Sequence, residues 1–269
     1  MSDDATEGED EIEAAKAPLL EHLLELRTRL MYSMLALLIA FIGCYLVSEQ
    51  IYGFLVRPLA NLVEGQEGRR MIYTGLHEAF FTYLKVSLFG AFCISFPLLA
   101  GQLWAFVAPG LYKREKRAML PFMVASPILF TMGAALVYYL VFPLAWSFFL
   151  SFESPGGPGV LPIQLEAKVN EYLSLVMKLI FAFGLSFQLP VLLTLLARVG
   201  IVTSEGLAKN RKYAIVIAFA FAAVLTPPDI ISQIGLGVPI LVLYEISILS
   251  AKMVERKRAA AEAADGGGV

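Results

Sequence analysis

Two glutamates carry a chemistry that their surroundings do not require. Glu25 lies in Glu21-His22-Leu23-Leu24-Glu25-Leu26-Arg27-Thr28-Arg29, just ahead of the first long apolar run. Glu115 is the single acid in Lys113-Arg114-Glu115-Lys116-Arg117. A carboxylate takes a guanidinium in a forked, charge-assisted geometry that an ammonium cannot reproduce. Each residue also has a plainer role. Glu25 and Arg29 stand at the spacing of an exposed helical pair, which contributes about 0.3–0.5 kcal/mol. Glu115 can simply balance charge in a basic loop. By spacing alone the plainer roles are favoured.

Other polar residues sit where they need partners. Gln188 lies at the centre of the apolar run Leu179–Ala197, where an amide requires an interhelical hydrogen bond or water. Pro190 follows it and frees a carbonyl that water can also satisfy. Glu245 follows directly on the last charge-free run, in the sixth expected span, within reach of Lys252 or the interface. Trp104 fits an aromatic belt, and Phe106 reads as packing or as part of a binding wall. The two histidines, His22 and His77, fall on opposite sides of the expected membrane and cannot share a site. No phosphate loop, metal-ligand cluster or nucleophile–base spacing is visible, so no cofactor, metal or enzymatic activity is expected. Cys44 and Cys93 read as buried packing.

The elements that position these residues are membrane spans. Only 16% of the 269 residues are charged, and mean hydropathy is +0.71. That leaves too little polar surface for a soluble globule of this size. Six charge-free runs are candidates: Leu30–Ser48, Val86–Tyr112, Ala118–Phe152, Leu179–Ala197, Tyr213–Pro228 and Ile230–Tyr244. The third exceeds one crossing, and Pro127 and Pro143 predict bends in it rather than a second span. The fifth and sixth are short, are parted by Thr226-Pro227-Pro228-Asp229, and predict local thinning of the bilayer. Of 21 Lys and Arg, 15 fall in the two flanks and in the second and fourth loops. Six crossings with both termini in the cytoplasm satisfy that bias. The expected fold is therefore an all-α integral membrane protein. Residues 1–17 form an acidic tail expected to be disordered, 18–252 the membrane domain, and 253–269 a flexible tail. Pro18–Leu30 reads as an amphipathic juxtamembrane helix, with Leu19, Leu23, Leu26 and Leu30 on one stripe. The formal charge of -2 gives no indication of nucleic-acid binding.

The order of several short motifs resembles the TatC family, the multispanning subunit of the twin-arginine protein translocase. They are His22-Leu23-Leu24-Glu25-Leu26-Arg27, then Trp104-Ala105-Phe106-Val107-Ala108-Pro109-Gly110-Leu111-Tyr112 with Glu115 and Arg117, then Val141-Phe142-Pro143-Leu144, Phe183-Gly184-Leu185-Ser186-Phe187, and Leu225-Thr226-Pro227-Pro228-Asp229 with Gln233. The resemblance implies a cup-like bundle that binds the paired-arginine signal peptide of folded cargo at the cytoplasmic face. Pro97, Pro127, Pro143 and Pro190 would shape its concavity. It also implies a place in the bacterial cytoplasmic (inner) membrane, transport driven by the proton gradient, self-association, and single-span partners similar to TatA and TatB. Glu25 and Glu115 match the family's acidic signal-binding positions, which reverses the preference drawn from spacing. Phe106, Arg27 and Pro58 match functionally sensitive positions, with Arg27 ordering the site. Asp229 and Gln233 match an outer-face loop and helix start linked to assembly and transport. Many relatives carry glutamate where this chain has Gln188, so proton uptake at that residue cannot be essential here. The alternatives from the residues alone are a small-solute secondary transporter and a passive scaffold for partner helices. The first is disfavoured by halves that do not mirror each other.

Overall fold

The computed structural model describes residues 3–65, 68–111, 120–226 and 230–265, with side chains from His22 to Ala260 outside 66–67, 107–119 and 227–229. All regular structure among them is helical. The helices are α1 (Asp3–Leu46), α2 (Ser48–Ala60), α3 (Glu78–Leu111), α4 (Leu120–Leu136), α5 (Phe142–Leu150), α6 (Val169–Ser186), α7 (Leu189–Val199), α8 (Ser204–Lys209), α9 (Arg211–Leu225) and α10 (Ile230–Asp265). A single π turn, Val137–Val141, joins α4 to α5. The backbone of α1 is helical from Asp3, inside the tail that composition reads as disordered; its Glu and Ala residues are good helix formers.

Five stretches among the described residues are long and apolar enough to cross a membrane: His22–Leu46, Glu78–Phe106, Leu120–Leu150, Val169–Val199 and Ile230–Ala260. The third is a single candidate span, Leu120–Leu150, not two, and contains the π turn between α4 and α5. The remaining expected span, Tyr213–Pro228, corresponds to α9, whose 15 residues reach only about 22 Å at ~1.5 Å per residue. The last span is longer than its charge-free run, because α10 carries Glu245 within it.

Packing follows the sparse small residues. Helix α1 lies along α3, α3 on α4, α4 on α6, and α10 on both α7 and α9. A Cβ at Gly133 would stand 2.6 Å from the Phe183 carbonyl oxygen, and one at Gly184 would run into the Phe130 ring. The α4–α6 crossing is therefore closer than any residue with a side chain permits, the usual role of small residues between helices in lipid. The main core gathers Val137, Phe142, Trp146, Leu173, Val176 and Phe183 with residues of α2, α9 and α10.

Pro58 has a physical account. Within α2 it supplies no N–H to the carbonyl of Phe54, four residues back. Tyr138 takes the place of that donor: its hydroxyl donates to the Phe54 oxygen at 2.7 Å, and its ring stacks on Phe54 at 4.4 Å. Tyr172 donates to the next carbonyl, that of Leu55, at 3.3 Å. Two tyrosines of the bundle thus hold α2 by its backbone.

At one end of α3 the loops form a clamp. Arg69 grips Glu153 through both guanidinium Nη atoms, and Glu153 also accepts the Leu165 amide at 2.7 Å. Ile72 pairs with the Ala167–Val169 backbone, and Lys85 at the start of α3 donates to Asn170 at 2.8 Å. The Arg69 and Leu165 donors hold the Glu153 carboxyl down at about 2, from an ordinary 4.5. A depressed carboxyl contributes stability above its unfolded value that is lost as pH falls toward the folded one. The melting temperature of the detergent-solubilised protein should therefore decline as pH falls from about 4.5 to about 2, and the decline should be smaller in Glu153→Gln. Identical pH profiles would exclude this clamp as a stability element.

Candidate docking site at the α1–α3 end

The opposite end of α3 holds the candidate site. Antiparallel packing brings the first turns of the α1 span beside the last turns of α3. There the His22 ring stacks on Phe106, with centroids 4.2 Å apart and planes inclined by 14°. Glu25 lies one turn along α1. Its Oε1 accepts from Arg29 Nε at 2.9 Å and from Nη2 at 2.5 Å. Arg29 Nη1 reaches across to Gln102 Oε1 on α3 at 3.3 Å. Glu25 Oε2 stands 3.9 Å from His22 Nδ1, too long for a hydrogen bond. Roughly a third of the Glu25 side chain is exposed.

The helical pair anticipated from spacing is thus made, but it is not free on the surface: it is braced on a second helix and faces an aromatic pair. Leu23 and Leu30 of the predicted stripe are exposed, which suits a lipid-facing surface. Arg27 is exposed as well, with no hydrogen bond or ion pair to another described residue. Glu115 lies outside the described residues, in the connection from α3 to α4. Three participants escaped the reading by sequence. His22 and Gln102 come from elements 80 residues apart, and neither is unusual by type or local spacing. Ser126 is the third.

Ser126 joins three spans. It is 1% exposed. Its hydroxyl accepts the Trp104 indole N–H at 2.7 Å, and its carbonyl accepts the Gln188 amide at 3.0 Å. Trp104 is therefore buried between α3 and α4 rather than standing in an interfacial belt. Gln188 takes the plain option anticipated for it, an interhelical hydrogen bond. It sits at the break between α6 and α7, with Pro190 in the first turn that follows. A signal was available: Ser126-Pro127 and Gln188-Leu189-Pro190 are polar–proline steps inside apolar runs, each of which needs a partner for freed backbone.

Other predicted residues lie elsewhere. Glu245 pairs with Arg211 at 2.6 and 2.9 Å instead of reaching Lys252. Gln233 occupies the first turn of α10, half-buried, and Asp229 lies outside the described residues. The hydrogen bonds described around Glu25 join α1 and α3, and Gln233 makes none of them. Among the described residues no cluster of His, Cys, Asp or Glu could hold a metal ion.

Helices long enough to cross lipid, closely packed through glycines, with a carboxylate–guanidinium pair braced between two of them at one end, define a multi-span membrane protein. The family profile described as Sec-independent protein translocase protein (TatC) matches residues 21–239. A protein of Magnetococcus marinus described as Sec-independent protein translocase protein TatC is 52% identical over 250 residues, covering 93% of this chain and 89% of that one. A Rickettsia prowazekii protein of the same description is 48% identical, covering 88% and 94%. The crystal structure of the twin arginine translocase receptor TatC superposes with a TM-score of 0.73 at 36% identity, covering 87% of this chain and 99% of that chain. The chain belongs to the TatC family of protein translocase components. It is accordingly a translocase subunit and not an enzyme, and the small-solute transporter finds no support.

Proposed function

We propose that this protein is the receptor and organising core of a twin-arginine translocase, binding the paired-arginine signal peptide of folded cargo. The observation that carries the reading is that Glu25 already accepts a forked guanidinium beside a ring wall made by His22 and Phe106. Glu115 supplies the second acceptor. Chain connectivity keeps it within four residues of Leu111, hence within roughly 14 Å of the end of α3. Arg27 is a positioning residue rather than a cargo contact. The site faces the cytoplasm of a bacterium, both termini lie on that side, and α9 completes a sixth crossing in thinned bilayer. Residues 18–252 form the membrane domain.

Single-span partners similar to TatA and TatB pack against this membrane domain, and copies of the chain self-associate in the complex. Pro58, Asp229 and Gln233 serve assembly and transport at the outer face. For Pro58 the contact with Tyr138 supplies the reason: a substitution that restores the helix N–H would compete with the tyrosine for the Phe54 carbonyl. Transport draws on the proton gradient. The amide of Gln188 is committed to Ser126 and does not titrate, so it is not the proton carrier.

Site-specific photocrosslinking from positions 25 and 115 tests the receptor reading. Both should capture a paired-arginine peptide and capture a paired-lysine peptide poorly. Equal capture of the two peptides, or none from either position, rejects the assignment.

A further inference from the structure

Arg29 holds the acceptor that an incoming guanidinium needs. Two of its nitrogens, Nε and Nη2, donate to the same oxygen of Glu25, at 2.9 and 2.5 Å. A third, Nη1, donates to Gln102 on α3 at 3.3 Å. The guanidinium is therefore fixed from both helices, with 26% of its side chain exposed. Resting on the role proposed for Glu25, we infer that Arg29 is an internal stand-in for cargo: it occupies Glu25 until a paired-arginine peptide displaces it, and so sets the affinity a peptide must reach in order to dock.

Docking at Glu25 is then an exchange of cations. When an arginine displaces Arg29, one two-nitrogen contact to Glu25 replaces another of the same kind. The exchange gives up a partly exposed helical pair for charge-assisted bonds to the peptide and runs downhill, with the second arginine of the pair adding to it. When a lysine attempts the same, a compact point charge must displace a planar fork, and the exchange runs uphill. Arg29 is not stranded on release, because Gln102 remains an acceptor on α3. Glu25 Oε2, which Arg29 leaves unused, is the oxygen on which exchange can begin. His22 Nδ1 stands 3.9 Å from it, too long for a hydrogen bond. Without Arg29, Glu25 would be an open carboxylate that binds both peptides more tightly by the same factor.

The experiment uses the full-length protein in nanodiscs and fluorescent signal peptides carrying an arginine pair or a lysine pair. Arg29→Gln should tighten binding of the arginine-pair peptide roughly twofold to fivefold, the range of a partly exposed ion pair. It should tighten the lysine-pair peptide by the same factor, leaving the ratio of the two affinities unchanged. Gln102→Leu, which removes the brace on α3, should shift both peptides in the same direction by less. An Arg29→Gln protein that remains folded and binds the arginine pair no better, or tightens only one of the two peptides, overturns the inference. If Arg29→Gln does not fold, the Gln102→Leu result decides alone, and unchanged affinity for both peptides overturns it. Glu25→Gln separates this inference from its premise. Undiminished binding in that variant removes the role of Glu25 itself, whereas weakened binding upholds that role and leaves Arg29 and Gln102 to decide the exchange.

Discussion

Glu25→Gln should lower the affinity for a paired-arginine peptide by roughly tenfold to a hundredfold while the protein still inserts and folds. The size follows from the loss of charge-assisted hydrogen bonds, ~1.5–3 kcal/mol. Folding should survive, because Glu25 is part-exposed on one end of α1 and outside the buried core. The neutral amide keeps the shape of the side chain and can still accept from Arg29. A loss of binding would therefore report the charge and not a collapsed site. The measurement is peptide affinity in nanodiscs beside a melting curve of the same preparation. Unchanged affinity with an unchanged melting curve would remove Glu25 from the site.

The second large effect lies far from any cargo. Gly133→Ala and Gly184→Ala should each destabilise the bundle by about 1–3 kcal/mol or more, the range for overpacking a well-filled interior. The two should differ in kind. At Gly184 the added methyl meets the ring of Phe130, which is itself stacked on Phe96 at 3.9 Å and has little room to turn. Phe130→Leu should therefore recover part of the loss from Gly184→Ala. At Gly133 the methyl meets the Phe183 carbonyl, so the helix axes must separate, and the same second substitution should recover much less. Melting temperatures of the four variants in detergent form the check. Equal rescue of both would falsify the distinction between side-chain and backbone contact.

The sequence made the membrane class legible because lipid admits so few solutions. Apolar runs, proline positions and the bias of Lys and Arg each carry the constraint separately. Element boundaries were less legible where helix continues through polar residues: α10 runs on past Glu245, because Arg211 satisfies that carboxylate from α9. Charge-free windows cannot see such a pairing. The connection after the first span carries Arg57, Arg69 and Arg70 and none of the six charge-free runs, yet it contains α2, held by tyrosines distant in sequence. Glu25 and Phe106 could be picked out through a resemblance to other chains. His22 stands in the same motif, but its stacking on Phe106 was not legible, and neither was Gln102, since nothing local marks a ring partner or a bracing amide until α1 and α3 lie side by side. Ser126 was partly legible. The Ser126-Pro127 step marks a backbone that needs a partner, but the three-way role exists only once Trp104 and Gln188 converge on it.

The π turn at Val137–Val141 sets the rotational phase of the third span. At ~100° per residue, a regular helix would place Ala145 about 140° around the axis from Phe122. Both are nonetheless buried, while Tyr139 and Leu144 face outward. One wide turn absorbs one extra residue and brings the two halves to within roughly 40° of a common direction. The halves of this span can thus contact different neighbours, Phe122 and Phe130 in one cluster and Phe142 and Trp146 in another, without twisting either neighbour out of place.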